Sequence, residues 1–324
     1  MPAATTAREI AISLTVGVVA FAAGNAAEAA LSAGTTHGNP WLVAWTSEIL
    51  LSSALVVATY LWLHVRNLQG ALASLERVRV EVATELRLAA SIQRHLLDAT
   101  EARPSPVAWR GLLQPAHYGV GGDFYDVLTL ADGSILILTA DVSGKGIPAA
   151  IALASARTAF RQIARRTPDL PSLAAALSAA IRDENDGTPY MTAILCQIVP
   201  ATDQLSYVNA GHPAGRLAGP GGLIRLEPTG PPLGLLPGGR WAAPLLDARA
   251  YTLGLLFTDG VAESLESVGD PDAILDDLAR RLAAGTPEAA CAAVRERVRS
   301  AGGSSLAPLD DRTVVAFVPR ARHV

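Results

Sequence analysis

The sequence predicts an α+β layered domain preceded by a helical, membrane-associated region. Two observations lead to this prediction. Residues 1–65 are apolar enough to form two membrane-length helices. From about Val107 onward, blocks of short apolar strands with helices between them lack the regular strand–helix alternation of a parallel α/β sheet. We expect a helical hairpin over 1–65, a linker helix over 66–103 and a folded domain over 104–324.

Composition limits the classes of protein to consider. Half of the 324 residues are apolar, and the mean hydropathy of +0.30 is high for a purely soluble chain. The formal net charge of −4 argues against a general nucleic-acid binder, which would usually be basic. Cys196 and Cys291 lie in apolar stretches typical of buried free thiols, so we expect no disulfide and a reducing compartment.

Two apolar stretches, 10–32 and 41–65, are each long enough to cross a membrane as a helix, which takes about 20 residues. Arg8 precedes the first stretch and Arg66 follows the second, whereas the short connection between them has no Lys or Arg. The positive-inside rule therefore predicts a multi-pass protein of the cell membrane, with both termini and the folded domain in the cytoplasm.

Two features of this region leave alternatives open. A cleaved signal peptide is the other interpretation of the first stretch, but the stretch lacks a strongly basic start and a second apolar span follows at once. Glu28 is expected near the outer interface. Glu48 lies within the second span and is a candidate for a sensory or assembly role, because ionisable groups at membrane depth are usually functional.

The linker shows the spacing of a coiled coil. Apolar residues from Leu68 to Leu96 recur in eight steps over 28 residues, an average of 3.5 residues per step. Continuity with a membrane helix favours a parallel homodimer that passes a signal inward; an amphipathic helix packed on the following domain is the alternative. Pro104 and Pro106 are expected to end the helix.

Aspartates stand at the ends of predicted strands in the folded domain. Asp123 follows a Gly-Gly turn and begins a strand, Asp141 and Asp259 end strands, and Asp310 and Asp311 precede the last strand. Such groups can converge on one edge of a sheet, where Mg²⁺ or Mn²⁺ would neutralise their repulsion. The pattern suits a two-metal site whose bridging water attacks phosphorus; aspartates that only cap turns are the alternative. Cysteine and histidine spacings typical of zinc are absent.

Seven motifs then identify a family resemblance. They stand in this order: VGGDFYDV, DVSGKGIPAA, MTAILCQIV, NAGHPAGRL, PPLGLLPG, LLFTDGVAES and DDRTVVAFV. Together, over about residues 86–320, they resemble the SpoIIE-like branch of the metal-dependent protein phosphatase (PPM) family. The resemblance implies a layered α-β-β-α sandwich that hydrolyses phosphoserine and phosphothreonine in proteins, using two Mn²⁺ or Mg²⁺ ions.

The resemblance also assigns roles to individual residues. It implies that Asp141 bridges both metal ions and that the carbonyl of Val142 completes the shell of the first. Asp259 and Asp310 match ligands of the second ion. Asp123 matches an acid that holds metal-bound water or binds the metal directly. All four aspartates are therefore predicted as catalytic residues and, with Val142, as the metal-binding set.

Other motif residues are expected to have supporting roles. Asp311 would lie behind the ligands, Asp126 would be structural, and four glycines would let the backbone approach the ions closely, namely Gly122, Gly144, Gly146 and Gly260. His212 is expected to fix a turn rather than take part in chemistry, and His117 is expected at the surface.

The sequence departs from the eukaryotic branch of the family at two points. Ser143 stands where that branch has a histidine, and no residue matches its phosphate-binding arginine. Lys145 is the one candidate contributor to phosphate docking or to protonation of the leaving group.

These expectations combine into a membrane-anchored protein serine/threonine phosphatase in signal transduction. Its suggested substrate is a phosphorylated regulatory protein such as an anti-sigma-factor antagonist. A non-catalytic membrane scaffold that binds a regulator and a hydrolase of small phosphoesters are the alternatives. The intact set of aspartates argues against the scaffold, and a deep, narrow pocket over the metal ions would favour the small-phosphoester enzyme.

Overall fold

The computed structural model describes residues 17, 23–24, 40–101, 105–115, 121–144, 146–167, 169–185, 190–301 and 310–320. The chain divides into two compact units, Met1–Val82 and Ala83–Val324. Each unit is described by itself below.

One long helix dominates the N-terminal part of the described chain. Helix α1 spans Pro40–Glu101, so the predicted second membrane span and the predicted linker form a single continuous helix. Within its Glu48–Thr84 stretch, the most apolar 18-residue window has a mean hydropathy of 1.6 and no buried residues. By length and composition alone this stretch could cross a membrane. Apart from Gly17, Ala23 and Gly24, the first predicted span lies outside the described residues, as does Glu28.

The C-terminal unit contains the predicted mixture of strands and helices. The described strands are β1 Trp109–Gln114, β2 Asp123–Thr129, β3 Ile135–Val142, β4 Met191–Val199, β5 Gln204–Ala210, β6 Gly215–Gly219, β7 Gly222–Leu226, β8 Leu245–Asp247, β9 Leu253–Phe257 and β10 Arg312–Phe317. The described helices of this unit are α2 Ile147–Ala164, α3 Leu170–Asn185, α4 Asp259–Glu266, α5 Pro271–Leu282 and α6 Pro287–Ala301.

The strands form two antiparallel sheets of five strands each. One sheet has the order β1-β10-β9-β6-β7 and the other the order β2-β3-β4-β5-β8. Both sheets are buried on two faces, because three hydrophobic clusters separate four layers of structure. Strand β3 shows this arrangement: Ile135 and Ile137 face the other sheet, whereas Leu136 and Leu138 face a cluster shared with α2 and α3.

The third cluster lies outside the first sheet. Leu255 and Phe257 of β9 pack there against Leu275 of α5 and Val294 of α6. The layers therefore run helix, sheet, sheet, helix. The predicted α+β layered sandwich is confirmed, and the near-continuous apolar sequence of β3 and β4 is explained by burial on both faces.

A buried ion-pair cluster joins the second sheet to helix α2. Asp126 of β2 is fully buried and accepts hydrogen bonds from Nε and Nη2 of Arg161, both at 2.5 Å. Nε of Arg157, one turn earlier on α2, lies 3.3 Å from the same carboxylate. This bidentate geometry gives Asp126 a structural role, as the sequence predicted.

We expect Asp126→Ala to destabilise the C-terminal unit by about 3–5 kcal/mol, because it leaves two guanidinium groups without their buried counter-charge. Urea unfolding followed by tryptophan fluorescence measures the loss. Arg281→Ala is the control, since it removes an exposed pair with Asp277 whose contribution is expected to be small. An Asp126→Ala curve that overlays the control would contradict the structural role.

Candidate metal centre

Strands β2 and β3 place two of the predicted ligands side by side. Asp123 and Asp141 are direct partners in the antiparallel register of these strands. Side chains that face each other in this way have Cβ atoms about 4.5–5.5 Å apart, on the same face of the sheet. The backbone N–H of Val142 donates to the carbonyl of Gly122 at 3.0 Å. The register therefore brings together carboxylates that are 18 positions apart in the sequence.

Gly122 leaves the oxygen atoms of the neighbouring strand accessible. A Cβ atom at this position would lie 2.2 Å from the carbonyl oxygen of Val142 and 2.6 Å from Oδ1 of Asp141. Both distances are well below van der Waals contact. Only glycine fits here without moving the two atoms that the family resemblance assigns to a metal ion.

Asp123 is buried and held by the other sheet. Its Oδ2 atom accepts hydrogen bonds from the hydroxyls of Thr258 at 2.6 Å and Thr313 at 2.7 Å. Burial raises the pKa of Asp123 well above its usual range, and the negative charge of Asp141 adds to this rise. The charge of Asp311 also raises the pKa, whereas the hydrogen bonds from Thr258 and Thr313 lower it. A cation at this position would relieve the repulsion between these carboxylates.

Asp311 is the third carboxylate of this group. It is almost fully buried, and its Oδ2 atom lies 3.4 Å from the backbone nitrogen of Asp123. A Cβ on Gly121 would overlap that oxygen, at 1.2 Å, and a Cβ on Gly260 would lie 2.0 Å from the carbonyl oxygen of Asp311. Two other chain segments thus pack closely against Asp311: the segment of Gly121 against its side chain and Gly260 against its backbone carbonyl.

Asp259 and Asp310 lie next to this group in the chain. Asp259 is exposed at the first position of α4 and its Oδ1 accepts from the Gly260 N–H at 2.8 Å. Oδ1 of Asp310 accepts from the Asp311 N–H at 3.0 Å. Within the described part of the chain, no three His, Cys, Asp or Glu side chains are arranged as a metal-holding group. The metal-binding role of the predicted set stays a prediction.

The loop after Asp141 is tied to the start of β4. The N–H of Ser143 donates to the carbonyl of Tyr190 at 2.9 Å, and Oγ of Ser143 accepts from the Tyr190 N–H at 3.0 Å. Gly144 and Gly146 then adopt positive φ angles of 109° and 73°. These two glycines are therefore required by the backbone conformation of the loop. The sequence predicted a different reason, namely close approach of the backbone to the metal ions.

Two predicted residues cannot be placed. Lys145 and His117 lie outside the described residues, so their predicted roles stay predictions.

A cavity of about 390 Å³ lies further from the aspartates. Its lining includes Ser105, Trp109, Thr129, Leu130 and Arg165. This cavity lies at the C-terminal end of β2, whereas Asp123 begins that strand. It is therefore not a pocket over the candidate metal centre.

The turn that contains His212 is closed by Asn209 and not by the imidazole. Asn209 accepts from the His212 N–H at 2.8 Å and donates to the His212 carbonyl at 3.0 Å. The imidazole is buried, and its Nδ1 atom lies 2.8 Å from the hydroxyl of Thr192. Burial lowers the pKa of His212 to about 3, and a contact with the backbone of Phe257 opposes that shift. Nε2 nevertheless has no hydrogen-bond partner of standard geometry.

The depressed pKa of His212 predicts a pH-dependent stability. The unfolded chain binds a proton at this residue below about pH 6.5, whereas the folded chain does not until about pH 3. Its contribution to stability is therefore complete above pH 6.5 and is lost progressively as the pH falls toward 3. For the metal-free chain, we expect the free energy of unfolding to fall by about 2 kcal/mol more between pH 7.5 and 5 than in His212→Asn.

Urea unfolding at a series of pH values in the presence of a chelator measures this difference. Equal slopes for the wild type and His212→Asn would show that the pKa of His212 is the same in the folded and unfolded chains, which contradicts the prediction.

Known structures share this architecture. The SiaA-PP2C domain of Pseudomonas aeruginosa superposes with a TM-score of 0.63 at 21% identity, covering 74% of this chain and 98% of that domain. A structure of RsbX in complex with magnesium superposes with a TM-score of 0.51 at 16% identity, covering 65% and 94% of the two chains. The two antiparallel sheets and their flanking helices are therefore a PP2C-like fold.

Sequence comparison identifies the family. The model of Stage II sporulation protein E (SpoIIE) matches residues 131–318, which is more than half of the chain, so this chain belongs to the SpoIIE family of PP2C-type (PPM) domains. Phosphoserine phosphatase RsbP of Bacillus subtilis is 26% identical over 219 residues, covering 64% of this chain and 54% of RsbP. The chain thus spans about half the length of that relative.

Proposed function

We propose that this chain is a metal-dependent protein serine/threonine phosphatase that acts on a phosphorylated regulatory protein. The observation that carries the proposal is the pairing of Asp123 with Asp141, beside a glycine that leaves Oδ1 of Asp141 and the carbonyl of Val142 accessible. Membership of the SpoIIE family and the similarity to a phosphoserine phosphatase support this activity.

The predicted donor set has the chemistry that hard divalent cations prefer. It consists of carboxylate and carbonyl oxygens, which Mg²⁺ and Mn²⁺ prefer, and Gly122 forms a cradle that a side chain would fill. Asp141 and the Val142 carbonyl would hold one ion. Asp141, Asp259 and Asp310 would hold the other ion. Asp123 would bind metal-associated water or an ion. Such ions supply an acidified water nucleophile and neutralise charge on the phosphoryl group. The fold relative RsbX has been crystallised with magnesium.

The protein's own groups keep the carboxylates in place. Hydroxyls of Thr258 and Thr313, from the opposite sheet, fix the Asp123 carboxylate. The N–H of Thr313 in turn donates to the Thr258 hydroxyl at 3.0 Å, so both hydroxyls are fixed in position. An acid held in this way can orient a water molecule or a metal ion without reorganising during the reaction.

The substrate class distinguishes this proposal from its alternatives. We expect the full chain, in detergent micelles with Mn²⁺, to release phosphate from a phosphoserine protein. The kcat/KM for this protein should exceed that for p-nitrophenyl phosphate by at least about 10-fold, because contacts remote from the phosphate contribute to transition-state binding. The reverse preference would favour the small-phosphoester enzyme. Absence of turnover on both substrates, together with tight binding of the phosphoprotein, would favour the scaffold.

Membrane anchoring through α1 is the second part of the proposal. It is supported by the most apolar 18-residue window within Glu48–Thr84, which has a mean hydropathy of 1.6 and no buried residues. With the predicted first span it would form the hairpin, with both termini in the cytoplasm. Recovery of the chain in the soluble fraction after cell lysis, without detergent, would contradict anchoring.

A homodimer through α1 is the third part. Leu68, Leu72, Leu75 and Val78 follow the coiled-coil spacing, and each is more than half exposed. A second copy of the helix would bury this stripe. Light scattering of the chain in detergent should give a dimer, and Leu72→Glu combined with Leu75→Glu should give a monomer. A monomeric wild type would overturn this part.

A further inference from the structure

The imidazole of His212 is not needed for the turn in which it lies. Asn209 closes that turn with the backbone N–H and carbonyl of His212, and any residue supplies those two groups. The ring instead points inward, where only 2% of the residue is exposed. A polar ring that is buried without serving its own turn requires a different explanation.

The ring contacts a residue that lies directly beside the candidate metal centre. Nδ1 of His212 is 2.8 Å from Oγ1 of Thr192. Thr192 of β4 is the direct register partner of Asp141 of β3. Because facing residues of antiparallel strands project to the same side of the sheet, the side chains of Asp141 and Thr192 are neighbours on one face, and His212 contacts the second of them.

The other side of the ring meets the opposite sheet. His212 contacts the backbone of Phe257, and the next residue, Thr258, donates its hydroxyl hydrogen bond to Asp123. His212 therefore lies between β4, whose Thr192 pairs with Asp141, and the end of β9, where Thr258 donates a hydrogen bond to Asp123. Its position links the two sheets at the level of the paired aspartates.

We propose that His212 is a positioning residue for the metal centre: it fixes the Thr192 side chain, which in turn sets the orientation of the Asp141 carboxylate. A neutral imidazole either donates to the Thr192 oxygen or accepts its hydroxyl proton, and both arrangements hold the hydroxyl in one rotamer. This inference rests on the proposed function, because it assigns Asp141 to a metal ion. Groups that orient metal ligands typically contribute 10- to 100-fold to metal affinity.

Equilibrium binding of Mn²⁺ to the full chain in detergent micelles, measured by isothermal titration calorimetry, tests the inference without relying on activity. Thr192→Val removes the hydroxyl at constant shape, and His212→Phe removes the ring nitrogens while still filling the space. We expect each to weaken Mn²⁺ binding by about 10- to 100-fold. The double variant should be no weaker than either single variant, because the two residues act in series.

Conservative variants are the matched controls. Thr192→Ser keeps the hydroxyl, and His212→Asn keeps a hydrogen-bonding group near the position of Nδ1, so both should bind Mn²⁺ within about threefold of the wild type. A melting curve of each metal-free variant gives its stability. Reduced melting temperatures with unchanged Mn²⁺ affinity would show a purely structural role and overturn the inference.

The remaining outcomes separate this inference from the proposed function. Thr192→Ser binding as weakly as Thr192→Val would show that the hydroxyl is not the group that matters, which overturns the inference alone. A wild-type chain that binds no Mn²⁺ would overturn both the inference and the metal centre of the proposed function.

Discussion

Asp141→Asn should lower Mn²⁺-dependent phosphatase turnover by about 1,000-fold or more, equivalent to about 4 kcal/mol of transition-state stabilisation. Asp141 is the direct strand partner of Asp123, and the family resemblance implies that it binds both metal ions. An amide keeps the shape of the side chain and removes its charge. Steady-state release of inorganic phosphate from a phosphoserine protein measures the loss.

The control for this prediction is Asp277→Asn, the same chemical change at an exposed position of α5, where Asp277 pairs with Arg281. It should retain wild-type turnover. Substantial activity in Asp141→Asn would contradict the assignment of Asp141 to the metal ions, whereas equal losses in both variants would point to a general effect of lost charge.

Gly122→Ala should lower turnover by about 100-fold, because a displacement of about 1 Å in catalytic groups costs that much. The added methyl group would lie 2.2 Å from the Val142 carbonyl and 2.6 Å from the Asp141 carboxylate, so β2 and β3 must move apart where both proposed metal-binding atoms lie. Overpacking of this kind also costs about 1–3 kcal/mol of stability. Turnover and urea unfolding, measured on the same preparation, give the two quantities.

Gly70→Ala is the control for the second prediction, since its Cβ would meet nothing within 4 Å and alanine favours a helix. It should leave turnover unchanged. A Gly122→Ala variant with wild-type turnover would show that the space beside Asp141 and Val142 is not used in the reaction.

Much of the fold follows from the sequence, because burial on two faces leaves a clear pattern. The apolar run before Asp141 has too few polar residues for a half-exposed strand, and it forms β3, covered on both sides. Helices α5 and α6 span Pro271–Leu282 and Pro287–Ala301. Each begins at a proline, which favours the first turn of a helix.

Short elements were harder to predict from the sequence. The three-residue strand β8 and the eight-residue helix α4 lack a periodic signal of sufficient length. Helix α4 begins at Asp259, which the sequence placed at the end of a strand. Its N-cap residue, Thr258, donates its hydroxyl to Asp123 instead of capping the helix, so a tertiary contact replaces the local role that threonine has at this position.

Contacts between distant segments could not be predicted from a single chain. Arg216, fully buried in β6, donates to Asp276 at 2.5 Å and to Asp272 at 2.6 Å across about 60 positions of sequence. The contacts of Thr258 and Thr313 with Asp123 span 135 and 190 positions, and the contact of His212 with Thr192 spans 20. Threonine is common in strands, so its presence there gave no signal of a role at the aspartates.

The most direct test of the metal-dependent phosphatase is release of phosphate from a phosphoserine protein by the full chain, with Mn²⁺ and after chelation, compared with Asp259→Asn. Asp259 is exposed at the start of α4, so this substitution leaves the core intact. We predict activity that requires Mn²⁺, is lost on chelation and falls by at least about 100-fold in Asp259→Asn. Activity that persists after chelation, or that is equal in the two proteins, would contradict the two-metal site at the strand-end aspartates.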